Sequence, residues 1–366
     1  MKNFFFPLAF ALALTCCTAF AQDLKFVSAN DPNVLTEGRF IAGNESVSFC
    51  YPGTAFTIRF SGTMCKVTLK TSAGYFVKSI DNGAYQKFDT YNIIGENGFA
   101  DISLAENLAA GEHSVKIMLI SEGLYCKPEI KGFLIDKNAK ILKPVHKKLK
   151  IEFIGNSITC GYGVESDNPN EHFADSTSNF AKSFAGIAAK TLDAETMVVA
   201  RSGIGVYRNY NDNPEGSEWP MPRVYENSLI NDTVTKWNFS TFKPDVVVVC
   251  LGTNDLSTPG YDVEKFTVSY IAFIRKIRSK YPTAKIVLCN SPMLHYETTQ
   301  PLSDAITNTI TTMYSRNDVR IYRFDFQEQD SSLGYGADYH PSAKRQSDNA
   351  RYLSYFIQTE VLGKKK

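Results

Sequence analysis

The sequence of 366 residues lacks a net charge of either sign, because 39 lysines and arginines face 38 aspartates and glutamates. Nucleic acids and anionic membranes attract proteins through an excess of positive charge, so this balance favours neither as a partner. Beyond the first residues, no apolar run is long enough to cross a bilayer. Internal repeats and low-complexity tracts are absent as well. The composition is that of an ordinary globular protein, and the length allows two compact domains.

The cysteines do not form a metal-binding pattern. Six of the 8 cysteines lie beyond the first residues, and their spacing matches no zinc motif. These are Cys50, Cys65, Cys126, Cys160, Cys250 and Cys289. Cys250 and Cys289 end apolar strands, where a buried thiol behaves as a small hydrophobe. We therefore expect free thiols, with Cys50–Cys65 as the one local pairing that an oxidising compartment would favour.

Residues 1–21 have the pattern of an export signal. Lys2 supplies a positive start, residues 4–14 form an apolar run too short to span a bilayer, and Ala19-Phe20-Ala21 is a small-x-small cleavage site. We expect an exported protein, either periplasmic or secreted. A lipid anchor on Cys16 or Cys17 is less favoured, because no small residue precedes them.

Residues 22–140 contain short alternating runs that are broken by Gly, Asn and Pro. Strands of this length without helical periodicity are typical of a β-sandwich. The predicted strands cover residues 47–51, 55–61, 66–71, 75–80, 85–91, 100–104, 113–119 and 130–135. Asp81-Asn82-Gly83 indicates a hairpin turn, since Asn-Gly readily takes a positive φ. The lysine-rich residues 141–150 are predicted to be a linker.

Residues 151–366 alternate apolar strands with amphipathic helices. Continuously apolar strands indicate a parallel sheet that helices cover on both faces, so this region is predicted to be a three-layer α/β/α domain. The predicted strands cover residues 149–154, 196–200, 246–251, 286–289 and 319–324. The predicted helices cover residues 178–192, with Ser178 as a plausible N-cap, and residues 263–281, 302–315 and 342–361.

Four short motifs carry polar groups to one edge of the predicted sheet. They are Gly155-Asn156-Ser157, Arg201-Ser202-Gly203, Gly252-Thr253-Asn254-Asp255 and Asp338-Tyr339-His340-Pro341. The first three directly follow strands, and residues beyond the carboxyl ends of strands meet in one crevice of an open α/β sheet. Together they offer a hydroxyl, a glycine amide, a carboxamide and an imidazole, which are the groups that acyl transfer needs.

Simpler roles exist for some of these residues. Ser157 could only cap the next helix, and Asn254 could only cap a turn. The segment Gly155-Asn156-Ser157-Ile158-Thr159 is not Gly-x-Ser-x-Gly, which disfavours the α/β-hydrolase elbow. Among the 5 histidines, His340 is the best general acid and base, and His295 is its only competitor. His172 lies in a polar loop, where a histidine is usually just solvated.

The residues Ser157, Gly203, Asn254 and His340 occur in the order of the SGNH hydrolase superfamily, which this chain resembles. Residues 109–113, 132–136, 200–209 and 243–247 resemble carbohydrate esterase family 2. The resemblance covers nearly the whole mature chain. It implies an N-terminal jelly-roll sandwich before an SGNH domain, and an esterase without metal or other cofactor. It also implies removal of O-acetyl groups from plant polysaccharides such as xylan and mannan, commonly at the primary 6-position.

The resemblance assigns roles to individual residues. Ser157 would be the nucleophile and His340 the general acid and base, while the amides of Ser157 and Gly203 and the side chain of Asn254 would form the oxyanion hole. The superfamily places a carboxylate three residues before the histidine, where this chain has Ala337. Asp338, two residues before, matches family 2 instead. We expect its carboxylate to orient the ring, with a main-chain carbonyl as the alternative.

Aromatic residues near the motifs are candidates for sugar contacts. Tyr339 could stack on a sugar ring or pack beneath its own loop. Tyr207, Tyr210 and Trp219 lie in the long loop after Gly205 and are a second candidate source of sugar contacts, with Tyr207 and Trp219 assigned to substrate binding. Two other classes of function stay open at this point. One is another ester hydrolase, such as a lipase or thioesterase, and the other is a carbohydrate-binding protein without catalysis. The sequence does not indicate the oligomeric state.

Overall fold

The computed structural model describes residues 23–124 and 126–364. The predicted export signal at residues 1–21 lies outside these residues. Within the two described stretches, no helix is both long enough and apolar enough to cross a bilayer.

Two antiparallel sheets make up the N-terminal part of the chain. Their strands are β1 (Leu24–Ser28), β2 (Val34–Glu37), β3 (Phe40–Ala42), β4 (Val47–Phe49), β5 (Ala55–Gly62), β6 (Cys65–Lys70), β7 (Tyr75–Ile80), β8 (Gln86–Asp89), β9 (Phe99–Ala105), β10 (Gly111–Leu119), β11 (Glu129–Asp136) and β12 (Lys140–Leu142). One sheet has the order β3-β4-β11-β6-β9, with β1 beside β11. The other has the order β12-β5-β10-β7-β8, with β2 beside β5. Alternate residues of these strands, such as Ile58 and Phe133, form a shared core, which confirms the predicted sandwich.

The predicted hairpin turn begins one residue before the Asn-Gly pair. Asp81 and Asn82 both have a positive φ, of 51° and 60°. The N–H of Gly83 donates to the carbonyl of Ile80 at 2.8 Å, which closes the turn. Two successive left-handed residues are the signature of a type I′ turn, which joins twisted strands without splaying them.

A parallel sheet and its helices make up the second part of the chain. The strands are β13 (Leu149–Gly155), β14 (Ala194–Ala200), β15 (Val246–Cys250), β16 (Lys285–Cys289) and β17 (Ile321–Phe324). The helices are α1 (Ser157–Cys160), α2 (Phe184–Thr191), α3 (Met221–Val224), α4 (Thr253–Leu256), α5 (Val263–Lys280), α6 (Thr299–Tyr314) and α7 (Ala343–Phe356), which continues as a π-turn over Ile357–Val361. Short 3₁₀ turns lie at Phe180–Lys182, Tyr296–Thr298, Ser331–Leu333 and Ala337–Tyr339.

Helices cover both faces of this sheet. Val247 and Val249 of β15 point into a core shared with α5 and α6. Val246 and Val248 point to the opposite face, into a core shared with α2 and α7. Both sets are buried, which explains why the strand is continuously apolar and confirms the predicted three layers.

The first predicted helix begins later than expected. Ser178 does not cap it. Instead, the chain makes the 3₁₀ turn Phe180–Lys182, and α2 then starts after Ser183, whose Oγ accepts the N–H of Gly186 at 3.2 Å. Ser178 and Ser183 carry the same hydroxyl, so the sequence alone did not show which of them caps the helix.

The order of the parallel strands places a crevice at one end of the sheet. That order is β14-β13-β15-β16-β17. The chain leaves β13 for β14 on one side and then returns to β15 on the other. Ligands of open α/β sheets bind where the order reverses in this way, beyond the carboxyl ends of the strands. In this sheet that position lies just past Gly155, which pairs with Ala200 on one side and with Cys250 on the other.

The sandwich and the parallel sheet share a buried ionic contact. Arg39, between β2 and β3, is 0% exposed, and its Nη2 lies 3.0 Å from Oε1 of Glu152 on β13. Its Nη1 donates to the carbonyls of both Tyr225 and Asn227. The ring of Tyr225 also lies under the guanidinium, at 4.8 Å. A buried charge needs an opposite charge and hydrogen-bond partners. Arg39 of the sandwich finds them in the α/β domain, so the pair depends on both domains.

The cysteines are free thiols. All six cysteines within the described residues are unbridged, and only Cys126 is partly exposed. The expectation of free thiols is confirmed, and the Cys50–Cys65 pairing is not formed.

Candidate active site

Ser157 is the first residue of α1, directly past the end of β13. Asn156 caps this helix, because its Oδ1 accepts the N–H of Ile158 at 3.1 Å. The capping role considered for Ser157 therefore belongs to its neighbour. The N–H of Ser157 makes no hydrogen bond to any residue that the structure describes. At a helix N-terminus, such a free N–H can donate to an anion.

His340 meets Ser157 across 183 positions of sequence. Its Nε2 lies 2.8 Å from Oγ of Ser157, while its Nδ1 faces the carbonyls of Ala337 and Asp338 at 3.1 and 3.2 Å. A carbonyl can only accept, so Nδ1 carries the proton and Nε2 accepts the serine hydroxyl. The competitor, His295, pairs with Glu328 instead.

The imidazole of His340 is neutral near pH 7. Burial lowers its pKa from the usual 6.5 to about 4, although the two carbonyls and the charge of Asp338 oppose the shift. A neutral ring with a free Nε2 lone pair is the form that can accept a proton from a hydroxyl.

The carboxylate of Asp338 does not contact the catalytic imidazole, contrary to the expectation from sequence. Its oxygens accept the hydroxyl of Tyr162 and meet Nδ1 of His172, the latter at 2.8 Å. The reason is the backbone, since Asp338 lies in the left-handed region with φ 48° and ψ 40°. This conformation brings its main-chain carbonyl to the ring while its side chain reaches other partners. The alternative of a carbonyl that orients the ring is therefore the arrangement found.

Tyr162 and His172 are site residues that sequence reasoning missed. The Tyr162 ring stacks on the His340 ring, with centroids 4.0 Å apart and an angle of 20°. The glycines on either side of Tyr162, Gly161 and Gly163, were the feature of the sequence that could have indicated this loop. Gly163 has a φ of 56°, and a Cβ there would lie 2.5 Å from Cβ of Ala337. Only glycine lets this loop approach the histidine loop so closely. His172 was expected to be solvated, but its Nδ1 contacts the carboxylate of Asp338.

Gly203 and Asn254 follow the two strands that flank β13, Gly203 after β14 and Asn254 after β15. Gly203 follows β14 with a φ of 78°, and its N–H has no hydrogen-bond partner among the described residues. Asn254 is 6% exposed, and one N–H of its amide donates to the carbonyl of Ile204 at 2.8 Å. An amide nitrogen carries two hydrogens, so the second stays available to a ligand.

Asp255 fixes the loop that follows Gly203. Its buried carboxylate accepts the main-chain N–H groups of Val206, Tyr207 and Arg208 at 2.8–3.0 Å. Burial raises its pKa to about 6, against the opposite effect of these N–H groups. Two neighbouring side chains of α4 thus fix one turn by hydrogen bonds to its backbone. Asn254 binds the carbonyl of Ile204 at the start of the turn, and Asp255 binds the N–H groups of the residues that follow.

The aromatic residues predicted to contact sugar fall into two groups. Tyr339 is 53% exposed and Trp219 is 36% exposed, the latter with the guanidinium of Arg223 at 4.0 Å from its ring. Tyr207 is only 6% exposed, and its hydroxyl accepts the N–H of Asp262 at 2.7 Å. This burial leaves little of the Tyr207 ring available for a sugar contact. Tyr210, from the same loop, is 59% exposed, and its N–H donates to the carbonyl of Gly203.

Two family models match the chain in sequence order. Residues 36–144 match the Carbohydrate esterase 2 N-terminal model, and residues 153–345 match the GDSL-like Lipase/Acylhydrolase family. The Cellulase/esterase CelE of Acetivibrio thermocellus is 30% identical over 342 residues, which cover 93% of this chain but only 41% of that protein. An acetylxylan esterase / glucomannan deacetylase of Cellvibrio japonicus is 28% identical over 332 residues, which cover 86% of this chain and 87% of that protein.

A solved structure agrees with these matches. A family two carbohydrate esterase from Clostridium thermocellum, in complex with cellohexaose, superimposes with a TM-score of 0.81 at 30% identity. The match covers 90% of this chain and 99% of that one. Sequence, domain order and fold thus agree with the resemblance stated from the motifs, and the chain belongs to family 2 of the carbohydrate esterases, within the GDSL-like lipase/acylhydrolase family.

Proposed function

We propose that this chain is a carbohydrate O-acetyl esterase that works through an acyl-enzyme on Ser157. The observation that carries the proposal is the 2.8 Å contact between Oγ of Ser157 and Nε2 of His340. Three candidate donors follow the carboxyl ends of β13 and of the two strands beside it. They are the free N–H groups of Ser157 and Gly203 and the amide of Asn254. A nucleophile, its base and a set of donors are the minimum for acyl transfer.

The proposed mechanism has two steps. Oγ of Ser157 attacks the acetyl carbonyl carbon while Nε2 of His340 accepts the hydroxyl proton. The negative charge on the carbonyl oxygen is stabilised by the N–H groups of Ser157 and Gly203 and by Nδ2–H of Asn254. His340 then returns its proton to the sugar oxygen, which leaves as an alcohol. In the second step, water loses a proton to His340 and attacks the carbonyl carbon of the acetyl-serine. The bond from this carbon to Oγ of Ser157 then breaks, His340 returns its proton to Oγ, and acetic acid leaves and ionises to acetate.

We propose acetylated plant polysaccharides, such as xylan and mannan, as the substrate class, including primary 6-position acetates. Relatives named acetylxylan esterase and glucomannan deacetylase support this class, and the related esterase with bound cellohexaose supports a glycan chain at the site. The exposed rings of Tyr339, Tyr210 and Trp219 offer flat apolar faces on which sugars stack. Export, as expected from residues 1–21, would bring the enzyme to such polymers.

Hydrolysis of 4-nitrophenyl acetate tests the nucleophile. We expect Ser157→Ala to abolish turnover while the far-UV circular dichroism spectrum stays unchanged. Ser279→Ala is the matched control, because this serine is exposed near the end of α5 and distant in sequence from every motif. Turnover that survives in the Ser157 variant would remove this serine from the mechanism.

The substrate class needs a second measurement. We expect rates on 4-nitrophenyl esters to fall steeply as the acyl chain grows from acetate to octanoate. Rates that rise with chain length would indicate a lipase or thioesterase instead. NMR-followed deacetylation of acetylated xylan and glucomannan oligosaccharides would then identify the polymer and position. Binding to these oligosaccharides without any acetate release would indicate a carbohydrate-binding protein.

A further inference from the structure

We propose that the sandwich domain completes the active site, with Glu122 as a positioning residue that orients the amide of Gly203. The inference rests on the proposed function, because it matters only if this amide stabilises an oxyanion. Glu122 lies in the loop after β10, in the sandwich, and it reaches Ser202 in the catalytic domain.

The contact between Glu122 and Ser202 has two hydrogen bonds. Glu122 is 6% exposed. One carboxyl oxygen accepts the main-chain N–H of Ser202 at 2.8 Å, and the other accepts its hydroxyl. The peptide bond after Ser202 carries the N–H of Gly203. Two bonds to one residue fix both its backbone and its side chain, so the direction of the next N–H is fixed with them.

The loop that carries Glu122 is itself anchored on both sides. The carbonyl of Ile120 accepts the N–H of Phe180, in the catalytic domain, at 2.9 Å. The N–H of Gly123 donates to the carbonyl of Cys50, also at 2.9 Å. The carboxyl group is therefore presented from a fixed backbone, and a fixed anchor is what a positioning residue needs.

Glu122 also lies beside the helix that carries the nucleophile. The thiol of Cys160, in the last turn of α1, has a pKa well above its usual value, because of burial and next because of the nearby Glu122. One carboxylate of the sandwich thus binds Ser202, next to Gly203, and lies near the helix that carries Ser157.

A second glutamate of the sandwich provides a matched control. Glu37 is also 6% exposed, and its carboxylate accepts the N–H of Thr196 at 3.3 Å. Thr196 lies inside β14, before the carboxyl end where the motifs meet. Both glutamates bind main-chain N–H groups of the same strand and its extension, but only Glu122 does so next to Gly203.

The test compares Glu122→Met, Glu122→Gln and Glu37→Met with 4-nitrophenyl acetate. Methionine fills the volume of glutamate without an oxygen, whereas glutamine keeps one acceptor for the Ser202 N–H. Loss of a whole oxyanion donor costs ~10²–10³ in turnover, so a misdirected one should cost about tenfold or more. We expect Glu122→Met to lose about tenfold in kcat at a KM within about twofold. Glu122→Gln should recover most of this loss, and Glu37→Met should keep full kcat.

Equal kcat in Glu122→Met and the unaltered protein would overturn the inference, and so would an equal loss in Glu37→Met. If Glu122→Met does not fold, Ser202→Ala replaces it, since it removes only the hydroxyl bond. Its kcat should fall severalfold, and an unchanged kcat would contradict the positioning role. The proposed function fails separately, through turnover in Ser157→Ala.

Discussion

The carboxylate of Asp338 offers the sharpest test of the active-site geometry. In serine proteases, replacement of the triad aspartate by asparagine lowers kcat by ~10⁴, because the histidine takes the wrong tautomer. In the present structure, the carbonyls of Ala337 and Asp338 face Nδ1 of His340, at 3.1 and 3.2 Å. These carbonyls, and not the carboxylate of Asp338, hold the tautomer as long as the left-handed backbone at position 338 is kept.

Asp338→Asn is therefore expected to lose less than about tenfold in kcat/KM. Asparagine tolerates the left-handed backbone at φ 48°, so the carbonyl should stay on the ring. Its Oδ1 can still accept the hydroxyl of Tyr162. The change removes only the negative charge, whose effect on the His340 pKa is the smallest of the four causes that shift it.

Asp338→Ala should lose more than Asp338→Asn. Alanine has no polar side chain to support the left-handed conformation, which costs roughly 1–2 kcal/mol for ordinary residues. The carbonyl would then move off Nδ1, and Tyr162 would lose its partner. If the carboxylate itself assisted catalysis, both variants would instead lose activity to a similar and much larger extent.

Steady-state hydrolysis of 4-nitrophenyl acetate at pH 7 measures both variants, and thermal denaturation shows whether they are folded. Asp325→Asn is the matched control, because this exposed aspartate pairs with Arg323 just after β17. A loss of about 10³ or more in folded Asp338→Asn would refute the role given to the carbonyls.

Two further predictions concern pH and stability. The proposed mechanism needs the neutral ring of His340, and burial lowers the pKa of this ring to about 4, so kcat/KM should fall as the pH drops towards 4. A fall centred at pH 6.5 or above would contradict this. Arg39→Met leaves Glu152 buried without its cation, which typically costs 3–5 kcal/mol in free energy of unfolding. Urea titration should show this loss, while Arg59→Met, at an exposed pair with Glu112, should cost ~0–1 kcal/mol.

The sequence was a good guide to the strands and to the residues at their ends. Periodicity placed thirteen of the seventeen described strands to within about two residues, because a buried strand must be apolar on one or both faces. It missed the short strands β1, β2, β3 and β12, the last of which overlaps the start of the segment predicted to be a linker. Ser157, Gly203, Asn254 and His340 were found because they stand where such strands end or where a helix begins. The fold then brought Ser157 and His340 together, as the strand-end argument predicts.

The sequence could not predict contacts that depend on side-chain direction. Asp338 was assigned to the imidazole by its spacing from His340, but its left-handed backbone turns the carboxylate to Tyr162 and His172. Tyr207 sits among residues with the right motif, yet its ring is in the core. Such outcomes are decided by backbone angles and by partners that are distant in the sequence, which periodicity does not report.

The position of β14 in the sheet explains why the sandwich is needed beside the catalytic domain. β14 is an edge strand, since it pairs only with β13 within the described sheet. An edge strand exposes N–H groups that another segment must cover. Here the sandwich covers them, with Glu37 on Thr196 and Glu122 on Ser202. Because the loop with Gly203 grows from this same edge, the contact that protects the strand also sets the direction of the amide. Under the proposed mechanism, protection of the edge and orientation of the Gly203 amide are thus one structural requirement, met by the N-terminal domain.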